Sequence, residues 1–482
     1  MLIVVSNREP YLHQTAEDGS LVAVATTGGV SVALDALMRE RGGTWIAHGA
    51  GDADRDAVDA DDRVRVPPDC PAYDLHRIWL TEEEETRYYG GFSNEGLWPL
   101  CHTVHIKPVF RAEDWSAYQT VNRRFAEAVA ADLRDGNANS PVFIQDYHLA
   151  LVAGELRRLK PNVRSAIFWH IPWPSPDRLR MCPWRHEILE GLLANNLVAF
   201  QVERDLRNFL AAVRDELHVS TDNGIITRHG RETRAVTAPI GVDFDRISKT
   251  ARDPRLLVEK DRLRRELRVA APIVGVGVDR LDYTKGIPER LDAIDRLLTE
   301  TPGLASRFVF VQVGVPSRST LETYASLERE IDAKVAAINI RHGRGPADGP
   351  IRYRKSALIL RRVIALYQLA DFCVVSSLHD GMNLVAKEFV AARHDEEGVL
   401  VLSELTGAAQ ELKDAVIINP YDGAGFTRAL RQAIEMPPHE RHERMRRLRR
   451  VVAGRDVFAW ASEILGNLEK LPGRRTWFGR VA

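Results

Sequence analysis

Short runs of apolar, largely β-branched residues recur along the chain with segments of helical periodicity between them, and this alternation limits the fold more than any other feature. The runs fall at Leu2–Val5, Val142–Gln145, Ser165–Trp169, Leu197–Val202, Ile273–Val278, Arg307–Val313, Phe372–Ser376, Val399–Leu402 and Val416–Ile418. Several are continuously apolar rather than alternating, the pattern of strands covered on both faces in a parallel sheet. Between them, Val30, Ala33, Leu34, Leu37 and Met38 share one helical face. Ile287, Leu291, Ile294 and Leu298 share another, with Pro288 in a first turn where its missing N–H costs nothing. The alternation predicts an α/β fold with parallel sheets.

At 482 residues, 45% of them hydrophobic, the chain holds more than one core, since single cores stop growing near ~250–300 residues. The apolar pattern breaks into proline, glycine and charge at Ala238–Pro254, the best boundary between two units. Lysine plus arginine number 66 against 67 acidic residues, a net charge of −1. That balance argues against a nucleic acid or an anionic membrane as partner, so any anion must be bound locally. Cys70, Cys101, Cys182 and Cys373 are scattered, with no CxxC pair and no zinc spacing, as expected of reduced thiols. The N-terminus shows no signal-peptide pattern, and no apolar stretch reaches the ~18–20 residues of a membrane span. A soluble, cytoplasmic protein is expected.

In open parallel sheets ligands bind beyond the carboxyl ends of the strands, so the unusual residues just after the apolar runs are the candidates. Arg8 ends the first run, and Gly28 and Gly29 open the helix that follows, where backbone N–H groups suit an anion. Asp146 and His148 follow the Val142 run, and His170 follows the next. No HExxH and no ligand-spaced carboxylate pair accompanies them, so no metal is expected. "GVDRLDYTKGIPERL" places Arg280 and Lys285 on a strand-to-helix loop. It is neither a Walker loop nor GxGxxG. Its two cations suit a pyrophosphate, or the charge that grows on one as it leaves. Arg318 follows the next run. "SSLHDGMNLVAKEF" then places Asp380 before Met382, Asn383 and Leu384 at a helix start, with Glu388 a turn further in. Free N–H groups there suit a diphosphate, Glu388 suits ribose hydroxyls, and Asp380 suits sugar hydroxyls.

Other segments are weaker. The loop carrying Asp52, Asp54 and Asp56 has Ala57 and Arg63 where a calcium loop needs Gly and Glu, and reads as a solvated loop. The basic run Arg441–Arg450, with Met445, Leu448 and Val452 on one face, reads as a solvated amphipathic helix. The aromatic, glycine-rich Arg87–Leu100 reads as core packing or as a platform for a sugar ring.

Taken in order, "VSNREP", the Gly28–Gly29 pair, "YYGGFSNEGLWP", "QDYHL", "WHIPWP", "VDRLDYTKGIPERL", "VPSR" and "DGMNLVAKEFVAA" resemble the motifs of the trehalose-6-phosphate synthase family, over roughly Met1 to Asp422. The resemblance implies a retaining glucosyltransferase of glycosyltransferase-B architecture, with two Rossmann-like domains facing a cleft. An acceptor-binding domain spans 1–243, a nucleotide-sugar-binding domain 244–455, and a segment 456–482 packs back on the first. It implies donor contacts from Gly28, Gly29, Arg280, Lys285, Met382, Asn383, Leu384 and Glu388. Asp380 and His170 are implied on the transferred glucose, and Arg8, Tyr89, Trp98, Asp146 and Arg318 around the acceptor. Arg280, Lys285, Asp380, His170 and Asp146 form the implied catalytic set. The implied reaction moves glucose from a nucleoside-diphosphate glucose, by family default UDP-glucose, to glucose 6-phosphate, with no cofactor. The partners are these small molecules, and a homo-oligomer is compatible with them. One departure stands out: His48 occupies a position where the family commonly has tryptophan. That leaves glycerol 3-phosphate open as the acceptor, as in the related glucosylglycerol-phosphate synthases. A non-catalytic subunit sensing sugar phosphates is a third reading, disfavoured because the donor-side residues are all present.

Overall fold

The computed structural model describes residues 1–26, 29–133, 140–319, 321–343 and 349–470. It divides into two compact units. The first comprises Met1–Cys101, Ile106–Pro239 and Phe458–Ala482, and the second His102–His105 and Ile240–Val457.

The first unit is built on a ten-stranded sheet. In chain order its strands are β1 (Leu2–Arg8), β4 (Gly43–His48), β5 (Arg63–Val66), β6 (Tyr73–Ile78), β7 (Val142–Gln145), β8 (Ser165–Trp169), β9 (Leu197–Phe200), β10 (Thr221–Asp222), β11 (Ile225–Arg228) and β12 (Arg231–Thr237). A separate hairpin pairs β2 (Tyr11–Thr15) with β3 (Leu21–Ala25). The order across the sheet is β10-β11-β12-β9-β8-β7-β1-β4-β6-β5, parallel from β12 to β6 with antiparallel edges. The chain runs outward from β1 to one side and returns to build the other side from β7. The strand order therefore reverses between β1 and β7. The helix Val457–Lys470 lies in this unit from Phe458 onward, with Trp460 against Phe143 and Phe168 at centroid distances of 5.5 and 5.1 Å.

The second unit holds a six-stranded, wholly parallel sheet: β13 (Ile273–Arg280), β14 (Phe308–Val315), β15 (Ile351–Arg354), β16 (Phe372–Val375), β17 (Val399–Ser403) and β18 (Val416–Ile418). Its order, β15-β14-β13-β16-β17-β18, reverses between β13 and β16. Ile287, Leu291, Ile294 and Leu298 are buried on one face of the helix Ile287–Glu300, against Phe308, Phe310 and Phe372. All nine apolar runs are strands.

Several features depart from the sequence reading. β2, β3, β4, β5, β6, β10, β11, β12 and β15 were not anticipated. In "YDLHRI" of β6 an arginine is wholly buried: Arg77 donates from Nε to Glu9 at 2.7 Å, and its Nη2 lies 2.8 Å from Asp54. Asp54, expected in a solvated loop, has no exposed surface. It also accepts from the backbone N–H groups of His13 and Gly51. Arg280 is the last residue of β13 rather than part of the loop, and the loop itself is a short 3-10 turn, Tyr283–Lys285, closed by Gly286. Gly286 adopts φ +60°, and a Cβ there would lie 2.2 Å from the Ser376 carbonyl oxygen. The backbone can turn into the next helix only as glycine.

A buried ion pair ties the carboxyl ends of the second sheet together. Arg290, with no exposed surface, donates to Asp279 at 2.6 Å, to Gln312 at 2.8 Å and to the Ser376 hydroxyl at 3.0 Å. Removing one partner of such a pair strands a charge in the core. Arg290→Met should therefore destabilise the fold by about 3–5 kcal/mol, read as a shift of the denaturant-unfolding midpoint.

Candidate functional site

The two constellations lie where each strand order reverses, the place at which adjacent loops diverge and leave a crevice in an open α/β sheet.

In the first unit, Arg8 ends β1 and is exposed. It donates from Nη2 to the Tyr89 hydroxyl at 2.8 Å. Tyr89 belongs to a π-helical segment, Thr86–Leu97, a wound form that concentrates at functional sites. Its ring stacks on that of His148 at 5.6 Å. The Asn94 amide donates to the Tyr89 carbonyl at 2.7 Å, and its oxygen accepts from the Tyr147 hydroxyl at 3.0 Å. Trp98 is buried beside Tyr147, at 5.9 Å between ring centroids. Across the reversal, Asp146 follows β7 with φ +74° and ψ 170°, a conformation that costs a non-glycine residue energy and marks functional sites. Its Oδ1 accepts from the backbone N–H groups of Tyr147 at 2.9 Å and His170 at 3.0 Å, fixing the carboxylate between two loops. His170 is buried, and its Nε2 lies 2.9 Å from Gln145 Oε1, so Nε2 carries the proton and donates. Burial pushes its pKa down to about 3. The imidazole is neutral, and its Nδ1 is an acceptor with no partner among the described residues. Gly29 begins the helix Gly29–Arg41. Gly28 lies outside the described residues.

In the second unit, Lys285 Nζ donates to Asp380 Oδ2 at 2.6 Å. The same oxygen is within 3.2 Å of the Ser377 hydroxyl and of the Asn383 amide. Burial opposes ionisation of Asp380, but the Lys285 charge and hydrogen bond, with help from His102 and Asn383, hold the carboxyl down at about 2. Asn383 stands at φ +86° and caps the helix Leu384–Ala392, accepting from the Ala386 N–H at 3.1 Å. Met382 is buried, and its carbonyl accepts from the Ala408 N–H; Leu384 is half-buried. Arg280 is partly exposed at the end of β13. Arg318, at φ +53°, is almost wholly buried, donating to Asp282 at 3.1 Å and to the Tyr324 hydroxyl at 2.6 Å. Glu388 faces the Tyr367 hydroxyl at 3.4 Å, and burial pushes its carboxyl up to about 7.

The structure thus brings Lys285, Asp380 and Asn383 into direct contact, and joins Arg8 to Tyr89 and Asp146 to the His170 backbone. Sequence reasoning did not single out Asn94, Gln145, Ser377, Tyr367 or His102. His102 belongs to a four-residue stretch, His102–His105, that lies in the second unit although its sequence neighbours lie in the first. Its ring meets that of His379 edge-on at 5.9 Å, and the Thr103 N–H donates to His379 Nδ1. Among the described residues, no cluster of three or more His, Cys, Asp or Glu side chains could hold a metal ion, and no helix is long and apolar enough to cross a membrane.

Two doubly wound sheets, with charged and polar side chains at both strand reversals, match the α/β glycosyltransferase-B fold of solved trehalose-phosphate synthases. The chain belongs to glycosyltransferase family 20, whose model matches residues 1–470. It is 38% identical to the trehalose-6-phosphate synthase of Mycolicibacterium smegmatis, over 97% of this chain and 92% of that one. With the enzyme of the same name from Mycobacterium leprae it shares 38% over 98% and 95%. Among solved structures, the UDP-forming alpha,alpha-trehalose-phosphate synthase of Burkholderia xenovorans in complex with glucose-6-phosphate superposes with a TM-score of 0.86 at 31% identity, covering 97% of this chain and 99% of that one. The E. coli structure bound with UDP-2-fluoro glucose gives 0.85 at 30%, covering 98% and 100%.

The raised Glu388 pKa has a consequence for stability. An unfolded glutamate loses its proton near 4.5, whereas the folded one keeps it to about 7. The folded state therefore binds more protons across that interval, and stability falls as pH rises through it. Glu388→Gln should flatten this part of the profile and stabilise the ligand-free protein at neutral pH by about 1–3 kcal/mol, as read from melting temperatures between the two pKa values.

Proposed function

We infer that this protein transfers glucose from UDP-glucose to glucose 6-phosphate with retention, giving trehalose 6-phosphate and UDP. The observation that carries the reading is the Lys285–Asp380 contact at the reversal of the second sheet. It supplies both halves of a nucleotide-sugar subsite: a cation for the phosphate that leaves, and a carboxylate for the hydroxyls of the sugar that is transferred.

The donor diphosphate lies against Arg280, Lys285 and the start of the helix Leu384–Ala392, with Glu388 on the ribose. On binding, Lys285 turns its charge from Asp380 to the phosphate, and Asp380 becomes free to accept from a glucose hydroxyl. In the first unit His170, neutral and presenting an acceptor lone pair, is suited to accept from a sugar hydroxyl. In the first unit the acceptor lies against Arg8, Tyr89, Trp98 and Asp146. In the reacting step the bond from the anomeric carbon to the phosphate oxygen breaks, and the bond to the acceptor oxygen forms on the same face. The acceptor proton passes to the departing phosphate oxygen. Arg280 and Lys285 stabilise the charge on that phosphate, which is the work a metal ion does elsewhere. Three of the four free cysteines are buried, and reduced thiols suit a cytoplasmic enzyme.

The test is an assay of the purified protein with UDP-glucose against glucose 6-phosphate, glucose and glycerol 3-phosphate. Turnover with glucose 6-phosphate alone is expected, and turnover confined to glycerol 3-phosphate overturns the acceptor. Lys285→Ala should lower kcat by about 10²–10³-fold with little change in the acceptor KM, because the lost charge matches one that appears only in the transition state. Steady-state kinetics with a near-normal kcat would remove Lys285 from this role. Activity should also persist after exhaustive EDTA treatment, and a loss restored by Mg²⁺ or Mn²⁺ would show that the side chains alone do not neutralise the diphosphate.

A further inference from the structure

A lysine in the core of the second unit has no task in the proposed chemistry. Lys387 lies in the first turn of the helix Leu384–Ala392, one residue before Glu388, and is 1% exposed. A buried ammonium is costly unless it is closely paired. Here Nζ donates to Glu411 Oε2 at 2.6 Å and to the Ile240 carbonyl at 2.7 Å. The Glu411 side chain is almost wholly buried too, and its other oxygen accepts from Arg455 Nη1 at 2.9 Å. One buried charge pair thus joins the start of this helix to three segments distant in sequence.

Two of those segments are where the chain passes between the units. The main span of the second unit begins at Ile240 and ends at Val457, just after Arg455. Within that unit the two crossings pack on each other. The Val457 N–H donates to the Val242 carbonyl at 3.2 Å, and a Cβ on Gly241 would collide with the Arg455 carbonyl oxygen. The third segment is the 3-10 turn Gly407–Gln410, which Glu411 follows. Its Gly407 and Ala408 N–H groups donate to the carbonyls of Asp380 at 3.1 Å and Met382 at 2.8 Å. The turn is therefore fastened to the residues that lead into the helix, and Lys387 fastens the helix to the turn and to the crossings.

We propose that Lys387 is a positioning residue for the nucleotide-sugar subsite: through Glu411 and the Ile240 carbonyl it holds the start of the donor helix against the two chain crossings, so that occupancy of the subsite is transmitted to them. A diphosphate at the helix start draws on the N–H groups of the first turn. The helix is a rigid element, and the charged hydrogen bonds of Lys387 carry that load to Ile240 and, by way of Glu411, to Arg455. The proposal rests on the donor reading given above and adds to it a path from the diphosphate to the crossings.

The experiment is hydrogen–deuterium exchange of the full chain with and without saturating UDP, in the wild type, Lys387→Met and the double variant Lys387→Met/Glu411→Leu. In the wild type UDP should slow exchange at the start of the helix and in peptides covering Ile240–Val242 and Arg455–Val457. In both variants the helix start should still respond, and the response of the crossings should be lost. KM for UDP-glucose should rise about tenfold, with that for glucose 6-phosphate unchanged. The double variant removes both partners at once and leaves no lone charge in the core, so it serves should Lys387→Met not fold. If the pair only stabilises the fold, the double variant will show the wild-type KM for UDP-glucose and wild-type protection of the crossings, and that result overturns the proposal. Protection by UDP confined to the helix start of the wild type overturns it as well, and leaves the donor reading intact. A wild-type protein that binds no UDP overturns both.

Discussion

A guanidinium with no exposed surface holds together the part of the second unit on which the chemistry depends. Arg290 reaches from its helix to Asp279 on β13, Gln312 on β14 and Ser376 just beyond β16, so one side chain spans the reversal of strand order. Burying such a charge costs several kcal/mol, and only close pairing with satisfied hydrogen bonds offsets it. The consequence reaches the surface. Ser376, held by Arg290, donates its hydroxyl proton to the Gly286 carbonyl at 2.7 Å, with that of Lys285 at 3.1 Å. Gly277, below the same guanidinium, has no room for a Cβ, which would lie 2.2 Å from Arg290 Nη1. The backbone that carries Lys285 is therefore fixed by the core, while its amine remains free to change partners.

That division explains the electrostatics of the site. Asp380 is kept ionised at about 2 despite burial, so it is a permanent acceptor at neutral pH. Lys285 is paired with it at 2.6 Å. Burial leaves His170 neutral near pH 7, and it raises the Glu388 carboxyl to about 7, where it is half protonated. On the proposed reading the cations serve the phosphates and the sugar meets acceptors, the separation of roles that displacement of a diphosphate requires.

Much of this was legible in the chain. Parallel strands covered on both faces must be apolar throughout, so β1, β7, β8, β9, β13, β14, β16, β17 and β18 announced themselves, and the polar residues directly after them were readable as strand-end groups. Of the strands that escaped notice, β5, β6, β10, β11, β12 and β15 carry charge, whereas β2, β3 and β4 do not. β6 reads as polar because Arg77 is buried in a network with Glu9 and Asp54, and β12 reads as polar because only Thr233 and Ala235 within it are buried. Strand order cannot be read from periodicity, so neither reversal was visible. Nor were the positive φ angles of Asp146, Arg318 and Asn383, which depend on how each loop is held at both ends. His102 escaped for a similar reason, since its sequence neighbours belong to the other unit.

The central claim is that glucose moves from a nucleotide to a phosphorylated glucose with its anomeric configuration kept, because leaving and entering oxygens share one face. Proton NMR of the reaction of UDP-glucose with glucose 6-phosphate follows this directly through the anomeric coupling of the product. The account predicts a single product with both anomeric centres α, formed together with UDP. A β-linked product, or consumption of UDP-glucose only by hydrolysis, would contradict it.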